Sequence, residues 1–319
     1  YKSKAKSIIK RLELKKINRG TWESHWQECM DYIIPRKNEV TGVKTPGSKR
    51  NDVLFDSTSI LANQLLAAAL HGMLTNPATR FFELVFGDPA LDEDDEVRKW
   101  LQETANRMYT VLNNSNFQTE IHEIYIDLGA IGTACLYIGE HKDKTVYFSA
   151  RPIKEIFIEE DNLGMIDQVD RVFDWKPRQI VQEFGIENLP ESVVKRYESG
   201  SEDVFNIIHS VYPSESKGQF PISSCYVLTH EAEILSESGF REFPYAVPRW
   251  TKTSGEVYGR GPGMEVLPDV KMLNEMMRTV LSGAQKTVDP PLMVSDDGII
   301  GQVRLVPGGL TVVRADIEH

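Results

Sequence analysis

The sequence lacks paired cysteines. Cys29, Cys135 and Cys225 stand far apart with no CxxC spacing, which argues against a disulfide framework and a thiolate metal site. They read as reduced, buried thiols, as in a reducing compartment. Long apolar runs are also missing. The best stretch, residues 60–74, is interrupted by Asn63, Gln64 and His71 and falls short of the ~20 residues that span a bilayer. The basic residues Lys2, Lys4, Lys6, Lys10 and Arg11 are followed by no apolar signal core, so neither secretion nor a membrane partner is expected. Positive charge is in deficit: 36 Lys and Arg against 47 Asp and Glu leave a net charge of −11. That argues against tight gripping of nucleic acid by phosphate neutralisation, without excluding DNA that slides past.

Catalytic spacings are absent too. His25, His71, His122, His141, His209, His230 and His319 show neither HExxH nor another ligand spacing. GxSxG does not occur. The acidic run 92–96 reads as a solvated face, not an acid/base pair. Residues 42–49 superficially resemble a phosphate loop, but Gly47-Ser48-Lys49 places the lysine on the wrong side of the serine and Pro46 stiffens the loop. Gly259-Arg260-Gly261-Pro262-Gly263 precedes a helix, where an anion could sit. It lacks GxGxxG spacing, and a tight strand-to-helix turn is the better reading. No catalytic residue, cofactor or metal site is therefore expected.

What is present suits a folded protein. A chain of 319 residues corresponds to about two domains, and a hydrophobic content of 41% is enough for a sizeable core. Because it begins at Tyr1 and ends just after a strand-like run at 310–314, it is expected to be part of a longer protein. Apolar periodicity predicts helices over 4–17, 22–34, 57–74, 97–112, 117–128, 177–184 and 268–286, with Asp52 or Asp56 capping the third. Strands are predicted at 81–86, 134–139, 145–149, 155–160, 165–174, 203–212, 223–229, 233–237 and 245–251, with short strands over 292–313. Helices, then strands, then a helix, then strands give an α+β class.

The last helix carries Val270, Leu273, Met277, Val280, Leu281 and Ala284 on one face. Lys271, Arg278 and Lys286 share a sector roughly opposite, with Glu275 among them. In one copy this is a solvated face with ion pairs worth about 0.2–0.5 kcal/mol each. Repeated around an axis, it would make rings of positive charge.

Three segments closely resemble the head-to-tail connector, or portal, proteins of T7-like and related podophages: Gly255-Glu256-Val257-Tyr258-Gly259-Arg260-Gly261-Pro262-Gly263, Leu267-Pro268-Asp269-Val270-Lys271-Met272-Leu273-Asn274 and Val288-Asp289-Pro290-Pro291-Leu292. Phe55-Asp56-Ser57-Thr58, Leu74-Thr75-Asn76-Pro77, Arg80-Phe81-Phe82, His209-Ser210-Val211-Tyr212-Pro213 and Phe243-Pro244-Tyr245 agree with that pattern. The resemblance implies a mixed wing domain of helices and antiparallel strands over 1–262, a stem helix over 263–287 and the start of a β-containing clip over 288–319. The family's returning stem helix, tunnel segment and crown have no counterpart up to His319. It further implies a closed ring, a dodecamer when full length, at the capsid vertex of the virion and assembled in the host cytoplasm. Double-stranded DNA would pass through without sequence specificity during packaging and ejection. The terminase large subunit and later a tail adaptor would dock on the ring, which would also meet scaffold and major capsid proteins. No enzymatic activity and no cofactor are implied. Gly259, Arg260, Gly261 and Gly263 would form the wing-to-stem turn. Lys271, Arg278 and Lys286 would face the DNA channel or a neighbouring subunit's stem. Asp289, Pro290 and Pro291 would face the motor or adaptor. Two other readings stay open: a virion scaffold or adaptor without a channel, and a nucleotide-binding enzyme using residues 42–49.

Overall fold

Along the first 33 residues the buried positions Ala5, Ile8, Leu12, Arg19, Trp26, Met30 and Ile33 keep one helical phase. The computed structural model accordingly has one helix, α1 (Lys2–Ile33), where two were expected. It describes residues 2–37, 39–42, 45, 47–88, 94–141, 145–187, 189–214, 220–290 and 306. Gly20, in the gap between the expected helices, has open space around it. A lone mid-helix glycine costs only about 1 kcal/mol, so it does not end the helix. The residue that hides the continuity is Arg19, which reads as polar yet is 3% exposed. Its guanidinium donates to the carbonyls of Ile153 (3.0 Å), Lys154 (3.0 Å) and Ile156 (2.5 Å), pairs with Glu23, and lies over the Phe157 ring.

A short 3-10 turn, Pro35–Lys37, closes α1. The loop over 42–49 lies partly outside the described residues. Helix α2 (Thr58–Leu74) begins after Asp56, whose carboxylate accepts from the Thr58 N–H and hydroxyl, although the N-cap position itself is Ser57. Only Asn63 and Ala67 of this apolar helix are buried. Asp94 caps α3 (Asp95–Asn114) by accepting from the N–H groups of Glu96 and Val97, where negative charge also suits the helix dipole. Helix α4 (Phe117–Ile131) is buried at Phe117 and throughout its second half, Ile124 to Ile131, and ends at left-handed Gly132.

The strand expected at 81–86 does not form. The segment has no regular secondary structure and pairs with no strand among the described residues; the Tyr109 hydroxyl takes both the Phe81 and Phe82 N–H groups at 2.6 Å. Its aromatic and β-branched content made it strand-like, and a ladder needs a neighbour that the sequence pattern does not reveal.

The β-rich middle forms two antiparallel sheets. In the smaller, β1 (Cys135–His141) pairs with β2 (Thr145–Arg151) on one side and with β8 (Tyr245–Ala246) on the other. The expected strand 245–251 shrinks to those two residues and two isolated bridges, Thr133 to Arg249 and Thr251 to Arg260; Pro248 interrupts it, having no N–H for a ladder. The larger sheet runs β3 (Ile156–Glu160), β4 (Ile166–Trp175), β5 (Phe205–Pro213), β6 (Ile222–Leu228) and β7 (Glu233–Phe240) in chain order. Between β4 and β5 lie α5 (Pro177–Phe184) and α6 (Glu191–Glu198), the second of which the periodicity did not reveal. Alternation divides this sheet's core. Ile208, Val227 and Cys225 face the N-terminal half of α1. Ile207, Phe173 and Leu228 face α5 and α6. The main core joins Trp26, Met30 and Ile33 of α1 to α4, the small sheet, and the start of the last helix, α7 (Pro262–Val288). The α+β class holds. The expected strands over 292–313 lie outside the described residues apart from Val306.

Candidate functional site

The glycine-rich turn and α7 form the site singled out by the sequence. The turn's glycines are there for proximity. A side chain on Gly261 would meet the Gly132 nitrogen at 2.5 Å and the Leu128 carbonyl at 2.7 Å. One on Gly259 would meet the Gly132 carbonyl at 2.6 Å, and one on Gly263 the Ala130 carbonyl at 2.6 Å. The turn therefore lies backbone to backbone on the C-terminal end of α4. Gly132 itself, at φ 73°, would place a side chain directly in the Arg260–Gly261 peptide. The Thr133 hydroxyl accepts from the Gly259 N–H at 2.8 Å.

Neighbouring side chains reinforce the junction. Tyr258 is buried against Trp22 and Trp26, with ring centroids 5.7 and 4.9 Å away. Arg260 pairs with Glu256 (2.9 Å) and lies over Trp22. Its N–H donates to the Thr251 carbonyl at 2.8 Å. All of this serves packing, in line with the reading of a tight turn.

Helix α7 starts at Pro262, six residues before the expected start. Pro262 occupies the first turn, where its missing N–H costs nothing. Gly263, Met264, Leu267 and Asn274 are buried. Asn274 ties the helix to the segment before α2: its carbonyl oxygen accepts from the Phe55 N–H (2.7 Å) and the Asp56 N–H (3.2 Å), and its amide donates to the Val53 carbonyl (2.9 Å). Beyond Asn274 every residue to Val288 is exposed. Fourteen residues thus project for about 21 Å.

The two faces of α7 are disposed unexpectedly. The basic sector turns toward this chain's own body. Lys271 pairs with Glu28 of α1 at 2.7 Å and sits over the Tyr32 ring. Arg278 pairs with Glu275 at 3.4 Å and approaches the Phe55 ring. Lys286 is exposed, with no ion partner among the described residues. The apolar stripe is the uncovered side: Val266, Leu273, Met277, Val280 and Leu281 are all exposed. Asp289 and Pro290 follow in the open, and Pro291 lies outside the described residues.

Between α2 and the first half of α7 runs an apolar groove of about 320 Å³. Its walls include Ile33, Ala62, Leu66, Val266, Val270 and Leu273, and Asp56 and Asp269 stand at it. One feature of the sequence points to it: α2 is apolar almost all round, too apolar for the single face it buries.

Other chemistry is not assembled. Burial pushes the thiols of Cys29 and Cys135 up to about 12 and that of Cys225 upward, so all three stay protonated and unreactive. His71 is bound to Gln118 at 2.6 Å, a packing role. His209 is buried, stacked on Tyr226 and bound to Ser224 (3.0 Å) and Tyr245 (3.2 Å). Among the described residues no cluster of His, Cys, Asp or Glu fit to hold a metal occurs, and no helix is long and apolar enough to cross a membrane.

Comparison with known proteins follows the same direction. The sequence pattern of the bacteriophage head to tail connecting protein family matches residues 5–317. The chain is 31% identical over 322 aligned residues to the probable portal protein of Bordetella phage BPP-1, covering 97% of this chain and 58% of that protein. It is 30% identical over 317 residues to the portal protein of Salmonella phage epsilon15, covering 95% of this chain and 57% of that one. The chain thus spans less than three fifths of either relative.

Proposed function

The chain belongs to the bacteriophage head to tail connecting protein family, and on that premise we propose that it is the wing and first stem helix of a portal subunit. Copies close into a ring at one capsid vertex of the virion, and double-stranded DNA moves through the ring in packaging and ejection. The subunit is structural and performs no chemistry of its own. Residues 1–262 are the wing, 263–287 the stem helix, and the residues from 288 open the clip that meets the terminase large subunit and then the tail adaptor. Asp289, Pro290 and Pro291 lead into that surface.

One observation carries this reading: a helix clamped at its base by a glycine-tight junction and projecting with its apolar stripe uncovered. Such a stripe is unfavourable in an isolated chain and is supported by neighbours in an assembly. The net charge of −11 fits a channel that repels phosphates and lets DNA slide. Within the basic sector Lys286 is the residue left to face DNA, since Lys271 and Arg278 are already paired within the chain. Electron microscopy of the assembled protein tests the reading. Rings with a central hole are expected. A stable monomer under all assembly conditions rejects it, and a solid or open assembly favours an adaptor without a channel.

A further inference from the structure

We propose that the small sheet binds a small oxyanion, inorganic phosphate or a carboxylate, on the face that carries Tyr147, Ser149 and Arg151. The proposal does not depend on the ring reading.

Side chains alternate along a strand. In the β1–β2 register Arg151 lies opposite Cys135, Ser149 opposite Tyr137 and Tyr147 opposite Gly139, so all six share one face. The other face carries Leu136 and Phe148, both buried in the main core. Gly139 leaves room for two rings: a side chain there would collide with Tyr137 and Tyr147, whose ring centroids lie 5.9 Å apart. The opposing wall belongs to the large sheet. There Tyr226 stacks on His209 at 4.0 Å, and His209 meets the Tyr137 ring edge-on at 6.5 Å. Tyr137, Tyr147, Ser149, Arg151 and Tyr226 are all half-buried, so the face is sheltered yet open to a small solute.

Arg151 is the reason to expect an anion. It makes no hydrogen bond and no ion pair among the described residues; its guanidinium lies over the Tyr137 ring, 5.2 Å from the centroid. Its Nε is sealed from solvent with no acceptor, whereas neither Nη is closed off in that way. An unpaired donor on a buried charge is costly and rare. The neighbouring Arg171 differs, since Glu155 meets its charge at 2.9 Å. Glu183 of α5 is near enough to act on Tyr137 and Tyr226, yet it is exposed and forms no ion pair with Arg151. Donors are therefore in excess. The planar guanidinium and the hydroxyls of Ser149 and Tyr147, each about 7 Å further along the strand, suit the several acceptor oxygens of a phosphate or carboxylate. Burial pushes the Tyr137 phenol up to about 12, so it stays protonated and adds a donor.

Titration with inorganic phosphate at constant ionic strength, followed by the Arg151 Nε–H resonance in NMR and by calorimetry, tests the site. A saturable shift of that resonance is expected. R151Q is expected to weaken binding about 10- to 100-fold. R151K, which keeps the charge but loses the planar fork, is expected to weaken it about 10-fold, and Y147F about threefold. E183Q is expected to tighten it, because a like charge leaves the surroundings of the anion. Acetate at the same ionic strength decides between the two oxyanions: a response to phosphate alone assigns a tetrahedral anion, and a response to acetate assigns a carboxylate. If R151Q does not fold, R151K and the wild-type resonance keep the test decisive. A shift that sodium chloride reproduces, binding unchanged in the Arg151 variants, or no binding at all overturns the proposal. So does E183Q moving the Arg151 resonance in the absence of any oxyanion while abolishing the response to phosphate, which makes Glu183 the partner of the arginine.

Discussion

Gly261 and Gly20 show how differently one residue type acts. At Gly261 an added methyl group would meet backbone atoms at 2.5 and 2.7 Å that cannot yield without shifting α4. At Gly20, exposed and mid-helix, it meets nothing within 4 Å. G261A is expected to destabilise by about 1–3 kcal/mol through overpacking, while G20A is expected to stabilise by about 0.5–1 kcal/mol through helix propensity. Urea denaturation of both variants against wild type reads the opposite signs. His209 gives a second residue-level test. Burial, with Arg171 and Arg151 nearby, lowers its pKa from the ordinary 6.5 to about 3. Between those values the unfolded chain binds the proton and the folded chain does not. Its contribution to stability is therefore full above pH 6.5 and is lost as pH falls toward 3. From pH 7 to pH 5 the wild type is expected to lose about 2 kcal/mol more than H209F. Equal losses in the two urea titrations would refute this.

At the scale of elements, periodicity located most helices and strands because each buries one face. It failed where the deciding contact is distant in sequence. Arg19 reads as polar, and the three carbonyls over 153–156 and the Phe157 ring, all distant in sequence, make it a core residue within α1. Residues 81–86 have the aromatic and β-branched content of a strand, yet Tyr109, 27 to 28 positions away, takes N–H groups that a ladder would use. The two faces of α7 were legible in the sequence; which of them faces the body was not, because that depends on Glu28 and on the segment 53–56. The glycine junction was legible as a turn but not as a close approach to α4. Helix α7 therefore has two regimes. Its base, Pro262 to Asn274, is held by packing and by the Asn274 bonds; among the described residues the remainder has its own helical bonds and little besides the approach of Arg278 to Phe55. In dilute solution the amides beyond Asn274 are expected to exchange with solvent far faster than those at the base, and to gain protection on assembly. Uniform protection along α7 in the unassembled chain would contradict the division.

For the whole molecule, net charge and composition set limits without choosing a function. The α+β class and the absence of a catalytic spacing followed from pattern alone, whereas the reading as a connector rested on the segments around Gly259 and Pro268. The apolar groove was invisible in sequence, since it is built from α1, α2, α4 and α7 together. Helix α1 runs through all these parts. Near its start Lys2 and Lys4 pair with Glu233 and Glu237 of β7; near its end Glu28 pairs with Lys271 of α7. The distance between those anchor points is about 39 Å along one helix. A pull on the projecting end of α7 is therefore not borne by the glycine junction alone: α1 acts as a beam that shares the load with the far edge of the large sheet. Breaking the beam at its midpoint with G20P, at a cost of about 3 kcal/mol, is expected to lower the force at which α7 tears away in single-molecule pulling, whereas G20A leaves that force unchanged or raises it.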